Sequence, residues 1–271
     1  MKRVLSLCMM LMLAAAVCFA QGPRRRGNAG PSRINPRYRT LISQFEADSV
    51  PGEDYTLRYR IRSYDAGEAA VNEKPALFLF LHGASGRGTD NAHHLAYSSL
   101  AQLDTFLVSK RINAYVLAPQ CPPDRTWGEI PGRMRGEGTP VGERVLQLVD
   151  QIVRDKGIDP ARIYLMGTSM GAAGAWRLIT LRPDLFAAAQ IASAAPKLGQ
   201  YEMEKVVRTP IYFTLGEFDL DDASKYAGMI DYMKEHNKEF IFTLLPGLNH
   251  VQASNQAYTP ASLEYLWRHT R

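Results

Sequence analysis

Arg162-Ile163-Tyr164-Leu165-Met166-Gly167-Thr168-Ser169-Met170-Gly171-Ala172-Ala173-Gly174-Ala175-Trp176-Arg177-Leu178 decides how this 271-residue chain reads. It begins as a short apolar run of strand type and ends in a stretch that favours a helix. Gly-Thr-Ser-Met-Gly stands between the two. A strand that turns directly into a helix at this point forces the central serine into a strained conformation. Glycines flank such a serine because a Cβ there would collide with the neighbouring strand and helix. This elbow presents Ser169 as a nucleophile.

A serine attacks only when a base takes its proton and an acid orients the base, and in this setting both are expected downstream, acid first. Thr209-Pro210-Ile211-Tyr212-Phe213-Thr214-Leu215-Gly216-Glu217-Phe218-Asp219 is an apolar strand pattern that ends in a glycine turn and delivers a carboxylate just past it. Asp219 is therefore the candidate acid. Asp221 and Asp222 compete with it, but Asp222 reads better as the cap of a following helix and Asp221 as a turn residue. A second run, Phe240 to Leu245, is followed by Pro246-Gly247-Leu248-Asn249-His250, which makes His250 the candidate base in a loop after a strand. In open parallel sheets, sites form at the carboxyl ends of the strands, so residues from three strand ends can converge.

The charge that develops on an attacked carbonyl needs N–H donors. Ala76 to Leu81 is a continuous apolar run that opens into His82-Gly83-Ala84-Ser85-Gly86-Arg87-Gly88, similar to the H-G-x loop of α/β hydrolases. The expected donors are the N–H groups of Met170 and Ala84, with Ser85 as the alternative to Ala84. Leu81 to Asn91, Val116 to Pro122 and Asp159 to Tyr164 resemble the secreted α/β-hydrolase esterases. These are variously labelled predicted peptidases, phospholipase/carboxylesterase-like proteins or polyhydroxybutyrate depolymerase-like esterases. The resemblance runs from about residue 50 to the C-terminus and implies a Ser169-Asp219-His250 triad. Ser85 stands where such loops more often carry glycine, Arg87 where an acid is frequent, and Ala172 where a second glycine commonly follows.

Met1-Lys2-Arg3, the apolar stretch Val4 to Val17 and the small residues before Gln21 read as a secretory signal peptide over residues 1–20. The rival reading is a lipid anchor on Cys18, but Ala15-Ala16-Val17 before it lacks the usual order of residues. The net charge of +5 is unevenly placed. Of the 32 Lys and Arg, eight fall in residues 1–39 with no acid among them. The remaining 24 face 27 Asp and Glu, so residues 40–271 carry −3. Residues 21–45 read as a basic, flexible linker rich in Gly, Pro, Asn and Ser, and residues 46–271 as one catalytic domain. Nothing in this pattern points to nucleic acid or to stable membrane insertion, and the oligomeric state is not legible. Cys8 and Cys18 leave with the signal peptide, so Cys121 has no partner for a disulfide and reads as a buried structural cysteine.

Strand patterns at about 76–81, 113–118, 162–167, 187–191, 210–215 and 240–245 alternate with helical patterns at 94–109, 141–156, 170–181, 222–236 and 260–269. Tyr55 to Tyr64 reads as an early antiparallel strand. Such alternation predicts an α/β fold, a mostly parallel sheet with helices on both faces. His82 reads as a brace for the loop that follows it. His93-His94 lacks a carboxylate at matching spacing, so no metal is expected. Trp127 and Ser85 are the candidate substrate contacts, with Trp127 either stacking on a sugar or phenolic ring or packing within its loop, and Arg133 and Arg135 on a Gly-, Pro- and Arg-rich rim would favour an anionic substrate. The function these residues predict is hydrolysis of carboxylic esters, small or polymer-linked, through an acyl-enzyme and without a cofactor. A serine peptidase of prolyl-oligopeptidase type and a catalytically silent carbohydrate-binding homologue are the alternatives.

Overall fold

A computed structural model describes residues 34–67, 73–128, 141–195, 199–220 and 223–271. The expected signal peptide, the arginine-rich stretch up to residue 33, Arg133, Arg135, Asp221 and Asp222 lie outside the described residues.

Eight strands form one sheet among the described residues, in the order β1-β2-β4-β3-β5-β6-β7-β8. They are β1 (Glu46–Val50), β2 (Leu57–Tyr64), β3 (Ala76–Leu81), β4 (Ala114–Gln120), β5 (Ile163–Thr168), β6 (Ala188–Ala192), β7 (Ile211–Phe218) and β8 (Ile241–Asn249). β1 and β2 run antiparallel to their neighbours, and every pairing from β4 onward is parallel. The continuous apolar runs follow from this topology, because a parallel strand covered on both faces buries alternate side chains on opposite sides. Along β3, Leu77, Leu79 and Leu81 enter one core while Ala76, Phe78 and Phe80 enter the other.

One core is closed by Val145, Leu148, Val149 and Ile152 of the helix Val141–Asp155, by Trp176 and Ile179 of Met170–Leu181, and by Ile230 and Met233 of Ala227–His236. Leu100, Leu103 and Phe106 of Ser98–Lys110 close the other, together with Leu263 and Leu266 of Pro260–Trp267. These helices are called here α3 (141–155), α4 (170–181), α6 (227–236), α2 (98–110) and α8 (260–267). Three shorter ones complete the set among the described residues: α1 (Arg39–Ser43), α5 (Gln200–Val206) and α7 (His250–Gln256).

Two sequence expectations need correction. Residues 34–45 are not linker: Pro36–Tyr38 forms a 3-10 turn that runs into α1, and Tyr38, Leu41, Ile42 and Phe45 are buried in the second core. Apolar residues at positions 38, 41, 42 and 45 follow helical spacing, and that signal outweighs the basic composition around it. His250 does not sit in a loop. β8 continues through Pro246 and Gly247 to Asn249, and His250 is the first residue of α7. A proline is tolerated there because β8 is an edge strand.

Candidate active site

Ser169 follows β5 directly and adopts φ 55° and ψ −118°, a left-handed conformation costly for any residue with a Cβ. Its surroundings hold it there. Its N–H donates to the Ala192 carbonyl at 2.9 Å, and its carbonyl accepts from Ala172 and Ala173 of α4 at 2.9 and 3.2 Å. A Cβ on Gly171 would lie 1.9 Å from the carbonyl oxygen of Leu81, so α4 can pass this close to the end of β3 only with glycine at that position. β6 and β3 therefore fix the serine from both sides.

The Oγ of Ser169 is 2.8 Å from Nε2 of His250, and Nδ1 of His250 is 2.5 Å from Oδ1 of Asp219. With Nδ1–H donating to the carboxylate, Nε2 is left as the acceptor for the serine hydroxyl, which is the arrangement proton removal requires. His250 is set by a reciprocal cap in which Asn249 Oδ1 accepts from the Gln252 N–H and Gln252 Oε1 accepts from the Asn249 N–H, both at 3.1 Å. Asp219 Oδ1 also accepts from the Leu220 N–H at 2.7 Å. The Asp219 side chain is 2% exposed and that of His250 is 19% exposed. The carboxylate is thus shielded from water while the imidazole keeps access to it.

The loop after β3 lies against the serine. A Cβ on Gly83 would be 3.4 Å from the Cβ of Ser169. Met170 is the first residue of α4, so its N–H is among those with no acceptor inside the helix. Ala84 opens the turn Ala84–Gly86. His82 is fully buried, with Nε2 accepting from the Cys121 N–H at 3.0 Å and Nδ1–H donating to the Gly83 carbonyl at 2.6 Å. Burial pushes its pKa down to about 4, so the ring is neutral and braces the loop. Burial also pushes the Cys121 thiol up to about 12, which leaves it a protonated packing residue.

Trp127 does not offer a face for stacking. It is 1% exposed, its Nε1–H donates to the His82 carbonyl at 2.9 Å, and its ring lies T-shaped to the His82 ring. Gly174 of α4 leaves the slot it fills, since a Cβ there would lie 2.4 Å from that of Trp127. Ser85 is exposed, but its Oγ is 2.7 Å from the hydroxyl of Tyr97. Tyr97 also donates to the Gly83 carbonyl at 3.2 Å. Sequence reasoning missed this tyrosine, which precedes α2 in an ordinary loop and carries no motif. His93 pairs with Asp90, and His94 is buried with Nε2–H donating to the Ala118 carbonyl at 3.0 Å. Among the described residues no group of three or more His, Cys, Asp or Glu could hold a metal ion.

No protein-family model and no curated protein matches this chain. Solved structures do. A thermostable esterase superposes with TM-score 0.72 at 24% identity over 86% of this chain, which spans 64% of that esterase's length. The fold is that of the α/β hydrolases. A mutant of the feruloyl esterase module from Clostridium thermocellum, complexed with sinapinate, gives TM-score 0.59 at 15% identity over 83% of this chain and 88% of the module. An α/β hydrolase from Novosphingobium aromaticivorans gives TM-score 0.52 at 14% identity over 82% of this chain and 98% of its own. Ser169 follows β5, Asp219 follows β7 and His250 follows β8, each at a carboxyl strand end of one sheet.

Proposed function

We propose that this chain is a serine ester hydrolase of the secreted-esterase type its sequence resembles. The observation that carries the reading is the unbroken hydrogen-bonded line from Asp219 through His250 to a Ser169 held in strained backbone, with links of 2.5 and 2.8 Å. Ser169 Oγ attacks the ester carbonyl as His250 Nε2 takes its proton, and Asp219 holds the imidazole tautomer and stabilises the imidazolium. The N–H groups of Met170 and Ala84 receive the oxyanion. Loss of one such donor costs about 10²–10³ in rate. His250 then protonates the leaving alcohol, and a water activated by the same nitrogen releases the acyl group.

The substrate we favour carries an apolar or aromatic group. Phe218 and Leu220 flank Asp219, and Val251 follows His250, with exposures of 65%, 66% and 64%. Large apolar side chains left in water beside a reactive centre suit an acyl or aryl portion that needs covering. That the compared structures include a feruloyl esterase module supports testing phenolic esters first. The signal-peptide pattern in residues 1–20 supports a working enzyme outside the cytoplasm, as a chain beginning at Gln21. Among the described residues no helix is long and apolar enough to cross a membrane.

The test is peptide-level detection of a fluorophosphonate adduct on the purified chain, with Ser169→Ala as control and a panel of alkyl and aryl esters beside it. A single adduct on Ser169 with ester turnover that disappears in Ser169→Ala is the expected result. Turnover that survives equally in Ser169→Ala and His250→Ala would sink the reading.

A further inference from the structure

The peptide unit that joins Gly83 to Ala84 has its oxygen facing one way and its N–H the other. In a trans peptide, whatever grips the Gly83 oxygen therefore aims the Ala84 N–H. Three donors grip it: His82 Nδ1–H at 2.6 Å, the Gly86 N–H at 3.0 Å and the Tyr97 hydroxyl at 3.2 Å. A hydroxyl has one hydrogen. If Tyr97 spends its own on Gly83, the 2.7 Å contact with Ser85 must be Ser85 donating to Tyr97. The result is a directional chain, Ser85 O–H to Tyr97 O–H to Gly83 C=O. Its ring is seated on the buried side, T-shaped to Phe80 with centroids 5.7 Å apart and tilted against His82 at 6.4 Å. The point a Gly83 Cβ would occupy is 3.3 Å from the Tyr97 hydroxyl oxygen and 3.4 Å from the Ser169 Cβ, so phenol and serine border the same small volume.

We infer that Tyr97, with Ser85 behind it, is a positioning residue for the oxyanion: it orients and polarises the Gly83–Ala84 peptide so that the Ala84 N–H meets the charge formed by attack of Ser169. This rests on the ester-hydrolase reading above. Linked hydrogen bonds strengthen one another, so charge withdrawn at the carbonyl makes the N–H of the same peptide a better donor. Burial raises the Tyr97 pKa above its ordinary value, and the phenol stays protonated and able to donate. The exposed Ser85, expected from the sequence to touch substrate, acquires a different task as the outer link of the tether.

Tyr97→Phe keeps the ring on Phe80 and His82 and deletes only the hydroxyl. In the full chain, kcat for an aryl ester should fall about 10-fold, below the loss caused by removing an oxyanion donor outright. KM should stay within about twofold, the pH midpoint of kcat/KM should not move, and the Ala84 amide proton should shift upfield in a 1H–15N spectrum. Ser85→Ala, which removes an exposed hydroxyl and leaves the core intact, should lower kcat about threefold in the same pattern. An unchanged kcat, a rise in KM alone, or an Ala84 resonance that stays in place in both variants overturns the proposal. If wild-type Ser169 takes up no fluorophosphonate, the ester-hydrolase reading fails instead, and the Ala84 resonance still reports whether Tyr97 governs that peptide.

Discussion

Strands β5 and β8 deliver the serine and the histidine of one hydrogen-bonded line, yet they are built in opposite ways. Every residue of β5 is buried, and the strand is flanked by β3 and β6. No residue of β8 is fully buried, and among the described residues its only strand neighbour is β7, across a register shift between Gly216 and Phe218. The proposed nucleophile needs the first kind of setting, because a serine in strained backbone persists only where its surroundings over-determine it. The proposed base needs the second. It must reach the serine and also exchange a proton with an arriving water, and its position is secured locally by the Asn249–Gln252 cap and by Asp219.

The largest effect that could break this contrast is Ser169→Gly. It should remove about 10⁶ of kcat, yet raise stability by about 1 kcal/mol because glycine accepts the positive φ without strain. Parallel denaturation curves and ester assays check both halves. His250→Ala should cost comparable activity with no gain in stability. Asp219→Asn should lower kcat by about 10⁴, since the amide favours the wrong imidazole tautomer.

Two glycines compare the regions through packing. Gly171→Ala forces a Cβ onto the Leu81 carbonyl and should destabilise by about 4 kcal/mol or prevent folding. Gly247→Ala, at φ 70° in β8 with nothing within 4 Å, should cost only the left-handed strain of about 1–2 kcal/mol. Urea midpoints of the two variants decide it.

Acid should strike the elbow side. Burial lowers His82 from an ordinary 6.5 to about 4, so between those values the unfolded chain binds more protons than the folded one. Stability is then complete above pH 6.5 and lost as the pH falls toward 4, with a slope approaching about 1.4 kcal/mol per pH unit for one histidine. Buried His94, whose pKa is also lowered by burial, adds in the same sense. Denaturation at pH 7 and pH 5 should show the fall, and His82→Asn should flatten it. The smallest effect belongs to the rim. Phe218→Ser should leave stability within about 0.5 kcal/mol while raising KM for an aryl ester.

The sequence and the structure agree best where burial is complete. Runs such as Ala76–Leu81 and Ile163–Thr168 are legible because both faces of a parallel strand need apolar residues, and the elbow shows because Gly171 has no substitute. β1, reading Glu-Ala-Asp-Ser-Val, escapes notice because it is an exposed edge strand whose hydrogen bonds to β2 leave no mark on side-chain pattern. α7 was hidden by its proximity to Pro246 and Gly247, which look like a loop until the edge strand is seen to run through them. For Trp127 the sequence leaves stacking and packing both open: a loop after a strand end suggests exposure, and only the nearness of Gly174 in space reveals the slot. Tyr97 reaches Gly83 across 14 residues through tertiary packing alone, which no local pattern encodes.

The 81 residues between Ser169 and His250 also have a meaning in time. A ribosome adding about 5–20 residues per second makes the elbow, with β3, β4 and β5 already synthesised, roughly 4 to 16 s before it makes the histidine. Throughout that interval the serine has no partner to take its proton. On the proposed mechanism the growing chain carries an unarmed nucleophile through that interval, and only the arrival of β8 with His250 can arm it.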